Sequence, residues 1–196
     1  MGRGPERGGG APLSRAKEEI AVASLRSPAG RIWILATERG IREIRLGSDE
    51  APSRREASER GRKYVRRPSW TEPAERALQA YLAGERTSLD LPLDLAGGTP
   101  FMRRVWDATR RVGHGSVASY AAIAARAGSP RAVRAVGNAL GANPVPIVIP
   151  CHRVIYSDRS LGGFSSGLPW KRFLLELERG QLELTWRPRR KPGLVR

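Results

Sequence analysis

Two hydrophobic rhythms divide the chain. Over residues 20–47, IAVASLRSPAGRIWILATERGIREIRLG, the apolar positions fall in short runs rich in Ile, Val, Leu and Trp. SPAG and ERG interrupt those runs, and Gly and Pro between β-rich segments mark turns, so the pattern predicts short strands joined by tight connections. Residues 49–69 are charged and turn-rich and predict a loop or a weak helix. TEPAERALQAYLAGE, 71–85, predicts a helix with Thr71 as its cap, Pro73 in its first turn and Gly84 at its stop. LDLPLDL, 89–95, alternates as a strand does, and AGGT at 96–99 reads as a hinge.

The rhythm then becomes helical. In PFMRRVWDATRRVGHG, Phe101, Val105, Ala108 and Val112 fall on one face, with the arginines mostly elsewhere. In SYAAIAARAGSPRAVRAVGNALGANP, Ser119 caps a helix that ends at Gly128, and Ser129 caps a second with Pro130 at its first position. Two short helices across a Gly-containing turn make a helix-turn-helix. On the second, Arg131, Arg134, Ala135 and Asn138 share one stripe, and Val133, Val136, Gly137 and Leu140 mark the other. Small residues with one or two projecting arginines suit close backbone approach to a minor groove better than base readout in the major groove. NPVPIVIPCHRVIY, 143–156, reads as a turn, a buried β-rich run and a polar strand end. In LPWKRFLLELERG, Trp170, Phe173, Leu174 and Leu177 form a buried helix face with Glu178 beside it.

The expected organisation is a flexible tail at 1–16, an amino-terminal α/β domain at 17–98, a mainly helical domain at 99–182, and a basic tail at 183–196. With 196 residues and 40% hydrophobic content, the chain can bury a core of its own. Its single cysteine excludes an internal disulfide and a structural zinc site built from several thiolates. Neither metal nor cofactor is expected, and a reducing, cytoplasmic setting is. The net charge is +16, with 18 basic and 14 acidic side chains in 1–98 against 17 and five in 99–196. The cysteine-bearing half thus carries most of the positive field, which favours a polyanion such as nucleic acid. Arginine outnumbers lysine 31 to four, so the bias also fits an arginine-rich proteome. The opening MGRGPERGGGAPLSRAK lacks the apolar core of a signal peptide, and no run approaches membrane-spanning length.

The single thiol, Cys151, stands next to His152, one of two histidines. A free cysteine is often a small buried hydrophobe, and a buried histidine is often structural. A reactive thiol instead needs a base or a positive field to ionise, which a carboxylate-held histidine supplies. Along an unbroken strand the two side chains would point to opposite faces, so direct contact requires a bend or a bridging water.

The motifs go further. TPFMRRVW, SYAAIA, RAVRAVGNALGANPVPIVIPCHRVI, LGGF and KRFLLELE, in this order and spacing, resemble the O6-alkylguanine-DNA alkyltransferases, also called methylated-DNA–protein-cysteine methyltransferases. The resemblance spans almost all of 99–180 and is weaker before it, where SPAGRIWIL looks like the family's opening hairpin. It implies an α/β (α+β) fold: a small ribonuclease-H-like domain followed by a mainly helical domain with a winged helix-turn-helix-like unit. It implies that Cys151 accepts the alkyl group from a flipped O6-alkylguanine, with His152 as base through a water, Glu178 holding the imidazole and Asn143 stabilising the turn. Tyr120 would donate to the departing guanine and crowd the 3′ phosphate, Arg134 would enter the duplex, and Ala135 and Gly137 would face the minor groove. The backbone of Cys151 and Val154 with Ser165 would recognise the base, and Leu140, Pro146 and Phe164 would line its pocket. The implied partner is double-stranded DNA carrying O6-alkylguanine, with O4-alkylthymine open as a second lesion, met by a monomer in a single turnover. Three positions depart from the family pattern: Gly113–His114 for a proline and an aromatic, Phe164 for tyrosine, and Arg159 for a loop glycine.

Three rival readings leave residues unused. A helix-turn-helix regulator gives Cys151, His152 and Asn143 no role. A non-catalytic lesion binder would lack the acceptor cysteine that this chain keeps. A papain-like thiol hydrolase needs no minor-groove helix and usually carries its nucleophile at a helix start.

Overall fold

The computed structural model describes residues 17–180, apart from Arg86 and Ala96. The tails expected at 1–16 and 183–196 lie outside the described residues. Three strands, β1 (Glu18–Ser27), β2 (Gly30–Thr37) and β3 (Gly40–Leu46), form an antiparallel meander. The SPAG turn closes the first hairpin, where Ser27 Oγ donates to the Gly30 carbonyl and Gly30 takes φ 127°, a conformation open to glycine.

The segment 49–69, expected as loop or weak helix, holds two elements: α1 (Arg54–Glu59), capped by Ser53, and β4 (Arg62–Val65). β4 runs parallel to β1, giving the sheet order β3-β2-β1-β4. Its residues Arg-Lys-Tyr-Val bury little, so no hydrophobic alternation announces it. Arg45 binds the Glu56 carboxylate through both terminal nitrogens at 2.9 and 2.7 Å, tying α1 to the sheet.

Helix α2 (Pro68–Leu82) begins three residues before the expected cap. Pro68 sets the start, and Thr71 lies buried inside with its hydroxyl on the Pro68 carbonyl. Ala74, Ala77, Leu78 and Tyr81 bury one face of α2 in a core shared with Leu25, Ile32 and Ile34 of the sheet. The alternating run 89–95 forms only a single parallel bridge, Leu93 to Ile41.

The second half packs α3 (Pro100–Arg110), α4 (Tyr120–Arg126) and α5 (Val133–Gly141) around Val105, Ala108, Ile123 and Val136. Thr99 caps α3 and Ser119 caps α4, each hydroxyl accepting a backbone N–H three residues on. Helix α5 starts at Val133 rather than at Ser129–Pro130; Ala132 is its N-cap and gives no side-chain bond. A two-residue parallel pair, β5 (Ala118–Ser119) with β6 (Val154–Ile155), and α6 (Leu168–Glu178) complete the unit. The amino-terminal core continues across the seam: Val145, Ile147, Ile149, Phe173 and Leu174 belong to the same cluster as Ile32 and Leu78. The cysteine-bearing segment is therefore built on both halves.

Candidate active site

The run before Cys151 is not a strand. Pro144, Pro146 and Pro150 remove ladder donors, and the chain folds into a buried turn with Ile149 N–H on the Val145 carbonyl. Ile147 takes φ 74°, unusual for a β-branched residue and costing about 1–3 kcal/mol. Asn143 holds the turn from inside. Its Oδ1 accepts from Val145 N–H at 3.0 Å, and its Nδ2 donates to the Ile149 carbonyl at 2.9 Å and to Cys151 Sγ at 3.1 Å. Cys151–Arg153 then makes one 3₁₀ turn, which removes the strict strand alternation and lets three consecutive side chains all be buried.

His152 is fully buried, with Nε2 at 2.8 Å from Glu178 Oε1. Glu178 is the hub. Arg153 reaches Oε2 through Nε at 2.9 Å and Oε1 through Nη2 at 2.8 Å, the Gly115 N–H reaches Oε2 at 3.1 Å, and the Tyr81 hydroxyl reaches Oε1 at 2.5 Å. Burial alone would push the Glu178 carboxyl up, but the bonds from His152 and Arg153 hold it below the ordinary carboxylate range. An ionised Glu178 only accepts, so Nε2 carries the imidazole proton. Burial, opposed by Glu178, keeps the His152 pKa below its usual value and the ring neutral. Nδ1 is then a bare acceptor, with no hydrogen-bond partner among the described residues.

Burial likewise raises the Cys151 thiol, countered first by the Asn143 donor and then by the charge of Lys171. Lys171 is itself fully buried on α6, donating to the Val154 carbonyl at 2.5 Å and the Gly163 carbonyl at 3.3 Å, with its pKa lowered by burial to about 8. The resting group is a thiol and a neutral imidazole beside an ionised carboxylate–guanidinium pair.

Cys151 opens onto a cavity of about 140 Å³ lined by Tyr120, Gly137, Leu140, Gly141, Gly163, Phe164 and Ser165. That is below the roughly 300 Å³ of pockets for drug-sized ligands and suits one small planar group. Leu140, Phe164 and Ser165 are thus where the sequence reading placed them. Pro146 and Val154 do not line the cavity: Pro146 is buried in the turn, and the Val154 carbonyl is already taken by Lys171. Tyr120 is half-buried, its ring 5.1 Å from that of Tyr156, and Gly162 passes so close that a Cβ there would meet the Tyr120 hydroxyl at 2.7 Å. Arg131, just before α5, and Arg134, Ala135 and Asn138 on α5 are exposed, while Gly137 turns to the cavity wall. Arg159 stands at φ 68°, the left-handed region that glycine favours.

Family models for the 6-O-methylguanine DNA methyltransferase ribonuclease-like domain and DNA-binding domain match residues 20–95 and 100–180. The methylated-DNA–protein-cysteine methyltransferase of Haemophilus influenzae is 36% identical over 162 residues, 78% of this chain and 83% of that protein. The chain belongs to the 6-O-methylguanine DNA methyltransferase family. The constitutive methyltransferase of Bacillus subtilis is 41% identical over 154 residues, 78% of this chain and 92% of that protein. A crystal structure of Mycobacterium tuberculosis OGT in complex with DNA superimposes with a TM-score of 0.70 at 37% identity, covering 83% of this chain and 94% of that one. The expected family and the mixed α/β fold with a helical DNA-binding domain are both borne out.

In this site the sequence reading missed Tyr81, Arg153, Gly115 and Lys171. Arg153 lies inside the quoted PCHRV motif and was there to be read. Lys171 sits on the apolar face of α6 and is the one lysine in that stretch, a signal of a buried, bonded cation. Tyr81 lies 97 residues from Glu178, and nothing local links them.

Proposed function

We propose that this protein repairs DNA by drawing an O6-alkylguanine out of the duplex and moving its alkyl group irreversibly onto Cys151. The observation that carries the reading is the buried 2.8 Å contact of His152 Nε2 with Glu178, which leaves Nδ1 without a partner among the described residues. Nε2–H is committed to Glu178, so the bare Nδ1 can take the thiol proton through one water. Sγ then attacks the alkyl carbon, the S–C bond forms and the C–O6 bond breaks. Tyr120 O–H donates to the leaving guanine as negative charge gathers on it, and burial, which raises the Tyr120 pKa, keeps that donor protonated. The guanine leaves with a proton delivered through Tyr120, and the proton that His152 took from the thiol replaces it through water, so that His152 and Tyr120 both end in their starting forms.

The alkyl group is hidden in the base stack, so the nucleotide must leave it, at about a few kcal/mol. Arg134, exposed on α5, fills the space left behind, and Ala135 beside it lets the helix approach the minor groove. The net positive charge of 99–196 and the named activity of the relatives support the same partner. The thioether has no route back, because thiol exchange resolves disulfides, not thioethers. Each chain therefore acts once.

The test is intact mass after incubation with a duplex bearing one O6-methylguanine. The reading requires a stoichiometric gain of one methylene on the Cys151 peptide, absent from Cys151→Ala. Tight binding without a mass gain would make the protein a lesion sensor instead.

A further inference from the structure

Tyr81 is 1% exposed and belongs to α2, in the amino-terminal half, and does not line the cavity onto which the thiol opens. Its hydroxyl donates at 2.5 Å to Glu178 Oε1, the same oxygen that receives His152 Nε2–H. The two donors compete for one set of lone pairs. Burial, reinforced by Glu178, pushes the Tyr81 phenol well above its usual pKa, so it remains a donor. A hydrogen bond onto an ionised acceptor is about twice as strong as a neutral one.

We propose that Tyr81 is a positioning residue, through which the amino-terminal domain fixes the Glu178 carboxylate and sets how readily His152 takes the Cys151 proton. The inference rests on the reading of Cys151 and His152 given above. It assigns the amino-terminal domain a part in the reaction, beyond carrying the core. The Tyr81 bond draws negative charge from Oε1, weakens the pull on Nε2–H and so keeps the imidazole less basic. The other charged or titratable groups around His152 are Arg153 and Cys151 on its own turn and Lys171 and Glu178 on α6, while His114, in the loop before β5, faces Tyr81. His114 meets the Tyr81 ring edge-on at 6.0 Å, a contact that phenylalanine would keep.

The experiment measures the single-turnover rate of transfer to Cys151 from a duplex carrying O6-methylguanine. It covers every pH at which the full chain stays folded, for wild type, for Tyr81→Phe and for 3-fluorotyrosine at position 81. Loss of the hydroxyl makes His152 more basic, so the ratio of the Tyr81→Phe rate to the wild-type rate falls by about threefold or more toward acid pH, equal to roughly half a pKa unit. The more acidic 3-fluorotyrosine hydroxyl binds Oε1 more strongly, and its ratio changes in the opposite direction. A ratio that is flat with pH, whether at one or below it, overturns the proposal, since packing damage alone lowers the rate uniformly. Should Tyr81→Phe fail to fold, the fluorotyrosine ratio decides by itself. Absence of transfer in wild type would instead remove the functional reading, and this one with it.

Discussion

Asn143→Ala tests how the acceptor turn is held. The substitution deletes three hydrogen bonds and leaves the buried Val145 N–H without its partner, while the Ile149 carbonyl keeps the Cys151 N–H at 2.8 Å. A buried backbone group that loses its partner costs about 1–3 kcal/mol. Water entering the space of the lost side chain recovers part of this, so the expected destabilisation is about 2 kcal/mol. In a chain of this size that lowers Tm by about 4–8 °C. The thiol moves as well. Burial raises its pKa and the Asn143 donor is the largest opposing influence, so removing the donor raises it further and slows reaction with iodoacetamide at fixed pH. Asn143→Asp separates the two effects. It keeps an acceptor for Val145 N–H but sets a negative charge beside Sγ, so it destabilises less than alanine through Val145 while raising the thiol pKa more. Calorimetry and the pH profile of iodoacetamide alkylation read both quantities. An alanine variant with wild-type Tm and thiol pKa, or an aspartate variant more reactive than the alanine one, would refute the reasoning.

Two further outcomes follow from the buried charges. Glu178→Gln leaves the Arg153 guanidinium, 9% exposed, without its carboxylate, and should cost about 3–5 kcal/mol in urea unfolding at pH 7. Because the folded Glu178 pKa is depressed, its contribution is present above the unfolded value and is lost as pH falls through the folded one, so the wild-type advantage over glutamine shrinks in acid. Lys171, whose folded pKa is likewise depressed, acts in the same sense at higher pH. Between about pH 8 and pH 10.5 the unfolded chain keeps a proton that the folded chain has shed, so this group makes stability rise with pH through that window. Lys171→Met should flatten that rise in melts across the window and, by freeing the Val154 and Gly163 carbonyls, slow transfer to Cys151.

Much of this architecture was legible in the sequence because local chemistry and tertiary packing agree. Ser119 caps the helix that the sequence announces there, and Val105, Ala108 and Val112 bury as their periodicity requires. Where packing overrides local signals, the reading slipped. β4 is held by pairing to β1 and by its arginine's ion pairs with Glu18 and Glu43, not by an apolar face. Ser129 and Pro130 look like a helix start, yet the chain turns there and the helix begins at Val133. An apolar run such as VPIVI reads alike as strand or buried turn, and only its prolines argue for the turn. Within the site, Cys151, His152 and Asn143 lie within nine residues, so their association is nearly local. Glu178 and above all Tyr81 join them through the fold, and composition carries no trace of that link.

The edge of the amino-terminal sheet carries one last consequence. β3 is an edge strand, yet its outward groups are engaged: Ile41 exchanges bonds with Pro92 and Asp94, and Ile44 N–H donates at 2.8 Å to the carbonyl of Pro144, one residue past Asn143. The segment that presents the thiol therefore also serves as a guard on an exposed strand. Free edges template pairing between molecules. Damage that loosens this loop would uncover the Ile44 amide within a strand rich in isoleucine. Chemical competence and colloidal behaviour are thereby coupled in one backbone contact, and variants selected for solubility alone should be enriched for an intact acceptor turn.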